Sequence, residues 1–234
     1  MNGFEYIKRN IDMTLSEMEE ARIKANSAMP KLVAVTKSAT DEELIALAEL
    51  GVSAIGENRP GELARRGELL RRRGLFPELH EIGKLQSNKA KLVTPISTLI
   101  HSLDGHSLAK EINRLGLRDG RTIDVLVEIN SGREAQKSGI MPEDAKDFIE
   151  SLGMYESIRL RGLMTMGPAT DNPEELRRYF ALTRELFEKH RGDFAKGLDP
   201  ILSMGMSDSF KVAIEEGSTL VRVGRRLFNK QQEV

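Results

Sequence analysis

The chain has no cysteine at all. That absence excludes a disulfide framework, a thiolate zinc or iron–sulfur centre and a cysteine nucleophile together. Histidine is scarce too: His80, His101, His106 and His190 form no HExxH arrangement, and the close pair His101/His106 stands five apart, off a single helical face. No metal site is expected. Charge of one sign is also missing, since 35 Lys and Arg against 36 Asp and Glu leave a formal −1. No global field then steers the chain to nucleic acid or an acidic membrane, and a small ligand is the default partner. The N-terminal stretch MNGFEYIKRNIDM has no apolar core of a signal peptide. No apolar run approaches the roughly 18 residues of a membrane helix, so the cytoplasm is the expected compartment.

What is present is alternation. Phe4, Ile7, Ile11, Leu15 and Met18 recur at helical spacing and predict a leading helix from Phe4 to about Ala25. Leu32 to Thr36 is a short β-branched run, apolar on both faces as a buried parallel strand is. Thr40 and Glu43 form a capping box that opens a helix ending at Gly51. The pattern continues with strands at Val52–Gly56, His80–Gly83, Thr98–Ser102, Ile123–Ile129, Ile158–Met164, Ile201–Leu202 and Thr219–Val223. Of these, Ile123–Ile129 is the longest. Helices are predicted between them over Gly61–Arg73, Gln86–Val93, Ser107–Leu117, Glu143–Leu152, Asn172 to about His190, and Asp208–Glu216. Eight such strands fit an α/β fold, a single (β/α)8 TIM-type barrel with an extra N-terminal helix, and a doubly wound open sheet is the alternative. No repeat or Pro/Gly/Ser linker divides residues 1–234, so one domain is expected.

Barrel sites gather where strands end, which selects Lys37, Glu57 and Asn58, Gly83 to Gln86, Asn130 and Ser131, Met164 to Gly167, Ser203 to Ser207, and Arg222 with Gly224. Loops after strands seven and eight commonly bind phosphate with hydroxyls, backbone N–H groups and a closely approaching glycine. Ser203-Met204-Gly205-Met206-Ser207 and Arg222-Val223-Gly224-Arg225 have that composition, although Ser207 as a helix cap and Gly224 as a turn residue would account for it equally. Lys37 is either a solvated strand-end lysine or an amine that condenses with an aldehyde. One phosphorylated aldehyde would engage the lysine, the arginine and the phosphate cup together. Arg65, Arg66, Arg71, Arg72 and Arg73 crowd one helix, but Glu62 and Glu68 lie among them, and a solvated face is expected there. His80 is expected as a satisfied core histidine, and the methionines Met164, Met166, Met204 and Met206 as gap-fillers or pocket walls.

Taken in order, VAVTK (33–37), GEN (56–58), HEIGKLQSNK (80–89), GLMTM (162–166), LSMGMS (202–207) and GSTLVRVG (217–224) resemble the pyridoxal phosphate homeostasis protein family, from about Leu32 to Phe228. The resemblance implies a barrel like the N-terminal domain of alanine racemase, with pyridoxal 5′-phosphate held as an aldimine on Lys37. It further implies Arg222 facing the pyridine nitrogen, the phosphate near Ser203, Ser207, Gly224 and Arg225, and Asn58 beside the cofactor. Three positions depart from the family pattern. Arg59 stands where an aromatic is common, Asn229 where a glycine is common, and Arg225 where a small Thr or Ser is frequent. At Arg225 this leaves open whether side chain or backbone would meet the phosphate.

The resemblance also implies a carrier or buffer of vitamin B6 cofactor that serves apoenzymes dependent on it, without turnover. The alternative is an amino-acid racemase or related enzyme on the same Lys37. Two features favour the carrier: the sequence runs only ten residues past Gly224, where a racemase adds a second domain, and an arginine at the ring nitrogen weakens the electron sink. A third class, an RNA-associated protein using the arginine-rich helix, would bind with steep salt dependence.

Overall fold

The structure is a computed structural model that describes residues 3–134, 136–168, 170 and 172–231. Its first element, α1 (Glu5–Lys24), buries Ile7, Ile11, Thr14, Met18 and Ala21 along one stripe. The strands β1 (Lys31–Val35), β2 (Ala54–Glu57), β3 (Glu78–Glu81), β4 (Leu99–Leu103), β5 (Ile123–Ile129), β6 (Ile158–Thr165), β7 (Ile201–Ser203) and β8 (Leu220–Val223) close in sequence order into a parallel barrel. Between them run α2 (Asp41–Glu49), α3 (Pro60–Arg72), α4 (Ala90–Val93), α5 (His106–Asp119), α6 (Ala145–Ser151), α7 (Pro173–Lys189) and α8 (Phe210–Glu215). The eight-stranded barrel with its leading helix is therefore as expected, and the open sheet is not formed. Among the described residues no helix is long and apolar enough to cross a membrane.

Local signals account for most boundaries. Thr40 and Glu43 make both bonds of the capping box, Glu43 N–H to Thr40 Oγ1 at 3.2 Å and Thr40 N–H to Glu43 Oε2 at 2.8 Å. Asn172 accepts the N–H groups of Glu174 and Glu175 ahead of Pro173 and so caps α7. Where the sequence reading slipped, strand pairing decided. β3 begins at Glu78, two residues before the expected His80, because Ala54 to Glu57 pair residue for residue with Glu78 to Glu81. The helix expected over Gln86–Val93 divides into a 3-10 turn, Ser87–Lys89, and the short α4. The longest strand is β6, with 8 residues against 7 in β5. A register shift after Val125 leaves Arg161 as the extra residue, and Gly162 beside it, paired with Leu126, has a φ of 147°. A Cβ there would lie 2.0 Å from the Ile201 carbonyl oxygen, so only glycine fits.

The pleat sorts each strand into an outward and an inward row. Outward residues such as Ile100, Val125, Val127 and Leu163 pack under the helices. Inward, Val33, Ala54, Leu99, Leu126, Met164 and Leu220 form one apolar plug. Gly56, His80, His101, Glu128, Ser203 and Arg222 share the inward row by pairing and pleat, and all but the glycine are buried and polar. The middle of this barrel is thus hydrogen-bonded rather than greasy.

Candidate functional site

At the C-terminal mouth, a cavity of about 580 Å³ has Val35, Lys37, Ser207, Gly224 and Arg225 in its lining, together with Glu43, Asp208, Arg226 and Phe228. Lys37 is exposed two residues past β1. Gly224 follows β8 directly, and its N–H donates to Ser207 Oγ at 3.2 Å, which ties the β7 and β8 loops together. Four of the residues singled out from sequence, Lys37, Ser207, Gly224 and Arg225, are therefore brought to one cavity. The guanidinium of Arg225 pairs with Asp208 in solvent, the two side chains being 77% and 74% exposed.

Asn58, Ser203 and Arg222 lie elsewhere. Asn58 is exposed past the end of β2. Gly83 crosses its backbone so closely that a Cβ would stand 2.3 Å from the Asn58 carbonyl oxygen, which explains the glycine in HEIGKLQ. Arg222 sits within β8, two residues before Gly224 and roughly 6.6 Å deeper along the barrel. It is 3% exposed, and burial pushes its pKa down to about 10 against the opposing pull of Glu128. It therefore stays a cation at neutral pH. Ser203 is fully buried: its hydroxyl accepts from Arg222 Nη1 and lies 3.1 Å from His101 Nδ1. Both partners of its hydroxyl are interior groups, and Ser203 is not among the residues that line this cavity.

The lysine-bearing turn is clamped from behind. Arg66 donates through Nη1 to Glu57 Oε1 at 2.5 Å and to the Thr36 carbonyl, and through Nη2 to the Ala39 carbonyl at 2.7 Å. Thr36 Oγ1 donates to the same Glu57 oxygen at 2.5 Å. Both sides of Lys37 are so fixed by one guanidinium that is 6% exposed. The expectation of a solvated arginine face holds for Arg71 and Arg72, which are exposed, and fails for Arg66. The signal was present: Leu63, Arg66 and Leu70, the buried residues of α3, recur at three and four residues.

Sequence reasoning also missed a connected row through the barrel. Arg222 is bonded to Ser203, Ser203 to His101, His101 Nε2 lies 2.9 Å from His80 Nδ1, and His80 Nε2 lies 3.1 Å from Glu78 Oε2. His80 is indeed a satisfied core histidine. Burial lowers the pKa of both imidazoles, that of His101 well below its usual value, so both are neutral at pH 7. Further up the inward row, burial and then Asp104 push the Glu128 carboxyl up to about 7, against Arg222 and Lys84.

The family model for the alanine racemase N-terminal domain matches residues 7–231. The pyridoxal phosphate homeostasis protein of Aquifex aeolicus is 38% identical over 232 residues, covering 99% of this chain and 100% of that one. A crystal structure of an unknown protein from Bifidobacterium adolescentis, 35% identical, superposes with a TM-score of 0.87 over 96% of this chain and 95% of that one. PipY of Synechococcus elongatus, solved with PLP bound, is 26% identical and superposes with a TM-score of 0.82 over 95% of this chain and all of its own. Model, relatives and barrel agree, and the chain belongs to the pyridoxal phosphate homeostasis protein family, built on the alanine racemase N-terminal-domain fold.

Proposed function

We propose that this protein binds pyridoxal 5′-phosphate at the C-terminal mouth of the barrel and holds it in reserve for other proteins without turning over a substrate. The observation that carries the reading is the convergence of Lys37, Ser207, Gly224 and Arg225 on one cavity of about 580 Å³, a size suited to a small ligand. The donor set fits the group: a primary amine for an aldehyde, and a hydroxyl with backbone N–H groups for a phosphate. When bound, the cofactor supplies an aldehyde carbon that condenses with an amine. Lys37 offers that amine from a turn that Arg66 keeps in place. Ser207, Gly224 and Arg225 take the phosphate, and Asn58 flanks the ring.

We assign Arg222 to the ring nitrogen, as the cation nearest beneath this mouth on β8. An arginine there donates a hydrogen bond but, with a pKa near 10, retains its proton at neutral pH. The ring nitrogen is then left unprotonated, which weakens carbanion stabilisation and favours storage over racemisation. Borohydride reduction of the protein loaded with pyridoxal phosphate, followed by peptide mapping, tests the assignment. The adduct is expected on Lys37 and is lost in Lys37→Ala, with the melting temperature unchanged because the side chain is exposed. A reproducible adduct on Lys84, Lys89 or Lys137 instead would overturn it. Chiral analysis of alanine and serine after long incubation is expected to show no more conversion than free cofactor gives.

A further inference from the structure

We propose that His80 and His101 are positioning residues, which hold Arg222 toward the mouth through a row of hydrogen bonds running in one direction across the barrel to Glu78. Donor chemistry at the two ends dictates the order. A guanidinium only donates, so Ser203 Oγ accepts from Arg222 Nη1. A carboxylate only accepts, so His80 Nε2 carries a proton toward Glu78 Oε2, 3.1 Å away. A neutral His80 then accepts at Nδ1 from His101 Nε2–H at 2.9 Å. A neutral His101 likewise accepts at Nδ1 from the Ser203 hydroxyl at 3.1 Å. Every ring nitrogen in the row is paired, and both rings must be Nε2–H tautomers.

The surroundings enforce this state. Facing His80 are Glu78 and Lys31, which pair with each other at 2.5 Å at the opposite, N-terminal end of the barrel. Facing His101 are His80 and Arg222, and the positive charge of Arg222 adds to burial in keeping that ring neutral. Glu128 faces Arg222 from β5. The second guanidinium anchor is Thr165, whose carbonyl accepts from Arg222 Nη2 at 3.0 Å. Two acceptors at fixed points leave Arg222 one orientation. A single carbonyl would leave it free to swing, and an Nδ1–H tautomer at His101 would set its bare Nε2 against the bare Nδ1 of His80. An arginine aimed by neutral imidazoles keeps its charge for the ligand, whereas a carboxylate in their place would neutralise it.

The proposal rests on the assignment of Arg222 to the ring nitrogen, and the experiment separates the two. Nitrogen-15 spectra of the protein without cofactor at pH 7 are expected to show His80 and His101 as neutral Nε2–H tautomers. They should also show slowly rotating Arg222 Nη groups. His101→Leu is expected to free the Arg222 Nη rotation, and His101→Gln, which can accept from Ser203 and donate to His80, to restore it. Binding is then compared for pyridoxal phosphate and its analogue with carbon in place of the ring nitrogen. Wild type is expected to prefer the natural ring by about ten- to a hundredfold, the scale of a charge-assisted bond. His101→Leu should reduce that preference to within about threefold, and His101→Gln should recover most of it. His80→Leu cuts the row one step further on and serves if His101→Leu does not fold. An Nδ1–H or charged ring, or unchanged Arg222 rotation in the leucine variants, overturns the row. A row that behaves as described with no ring-nitrogen preference in wild type overturns only the Arg222 assignment.

Discussion

Replacing Arg66 with alanine isolates the clamp behind Lys37. In the wild type, Glu57 is 1% exposed and its Oε1 takes hydrogen bonds from Arg66 Nη1 and Thr36 Oγ1, both at 2.5 Å. Alanine leaves a buried carboxylate with one hydroxyl for company and the Ala39 carbonyl without its guanidinium donor. Removing one partner of a buried pair costs roughly 3 to 5 kcal/mol, because the remaining charge stays desolvated. In a domain of this size each kcal/mol moves the midpoint about 2 to 4 °C, so the expected loss is about 6 to 20 °C. Arg72→Ala is the comparison: Arg72 is 74% exposed and pairs with Glu68 at 2.7 Å, a surface contact whose loss should shift the midpoint by no more than about 2 °C. Thermal unfolding followed by circular dichroism measures both. Adding Glu57→Gln to Arg66→Ala should recover part of the loss, since the stranded charge is gone. Pyridoxal phosphate binding should weaken in Arg66→Ala even at temperatures where the variant is folded, because the turn carrying Lys37 loses its brace. If Arg66→Ala melts within 2 °C of Arg72→Ala, the buried pair is not what secures this turn.

Two further outcomes follow from buried and exposed carboxylates. Burial pushes the Glu81 carboxyl up from 4.5 to about 8, opposed by the Gly83 N–H and reinforced by Glu57. The folded protein thus binds this proton more tightly than the unfolded chain, and stability falls as pH rises from 4.5 toward 8. Glu81→Gln should therefore melt above wild type at pH 8.5, with the gap closing by pH 5; a gap that does not depend on pH refutes this. At the cup, Asp208→Asn frees Arg225 and removes a negative charge from the cavity lining. Equilibrium binding at low salt should tighten two- to fivefold for pyridoxal phosphate, fade at high salt and be absent for pyridoxal. Equal tightening of both ligands would show that the phosphate is bound elsewhere.

Much of this protein was settled by local order along the chain. The alternation of short β-branched runs with capped amphipathic segments determined eight strands and the barrel, because period and capping act within a few residues of one another. Strand ends in a barrel converge on one mouth, so the sequence alone groups Lys37, Ser207, Gly224 and Arg225. Tertiary structure decided what depends on register and on which row of the pleat a side chain joins. Pairing of Ala54 with Glu78 moved β3 by two residues and set His80 facing inward toward His101. The same closure set the Ser203 hydroxyl between Arg222 and His101, residues 19 and 102 positions distant in sequence. Arg66 looked like one of five surface arginines until α3 laid it against Glu57 and the Thr36 carbonyl. Charge and spacing along a helix say which residues share a face, but whether that face meets solvent or a buried carboxylate is decided by the element packed against it.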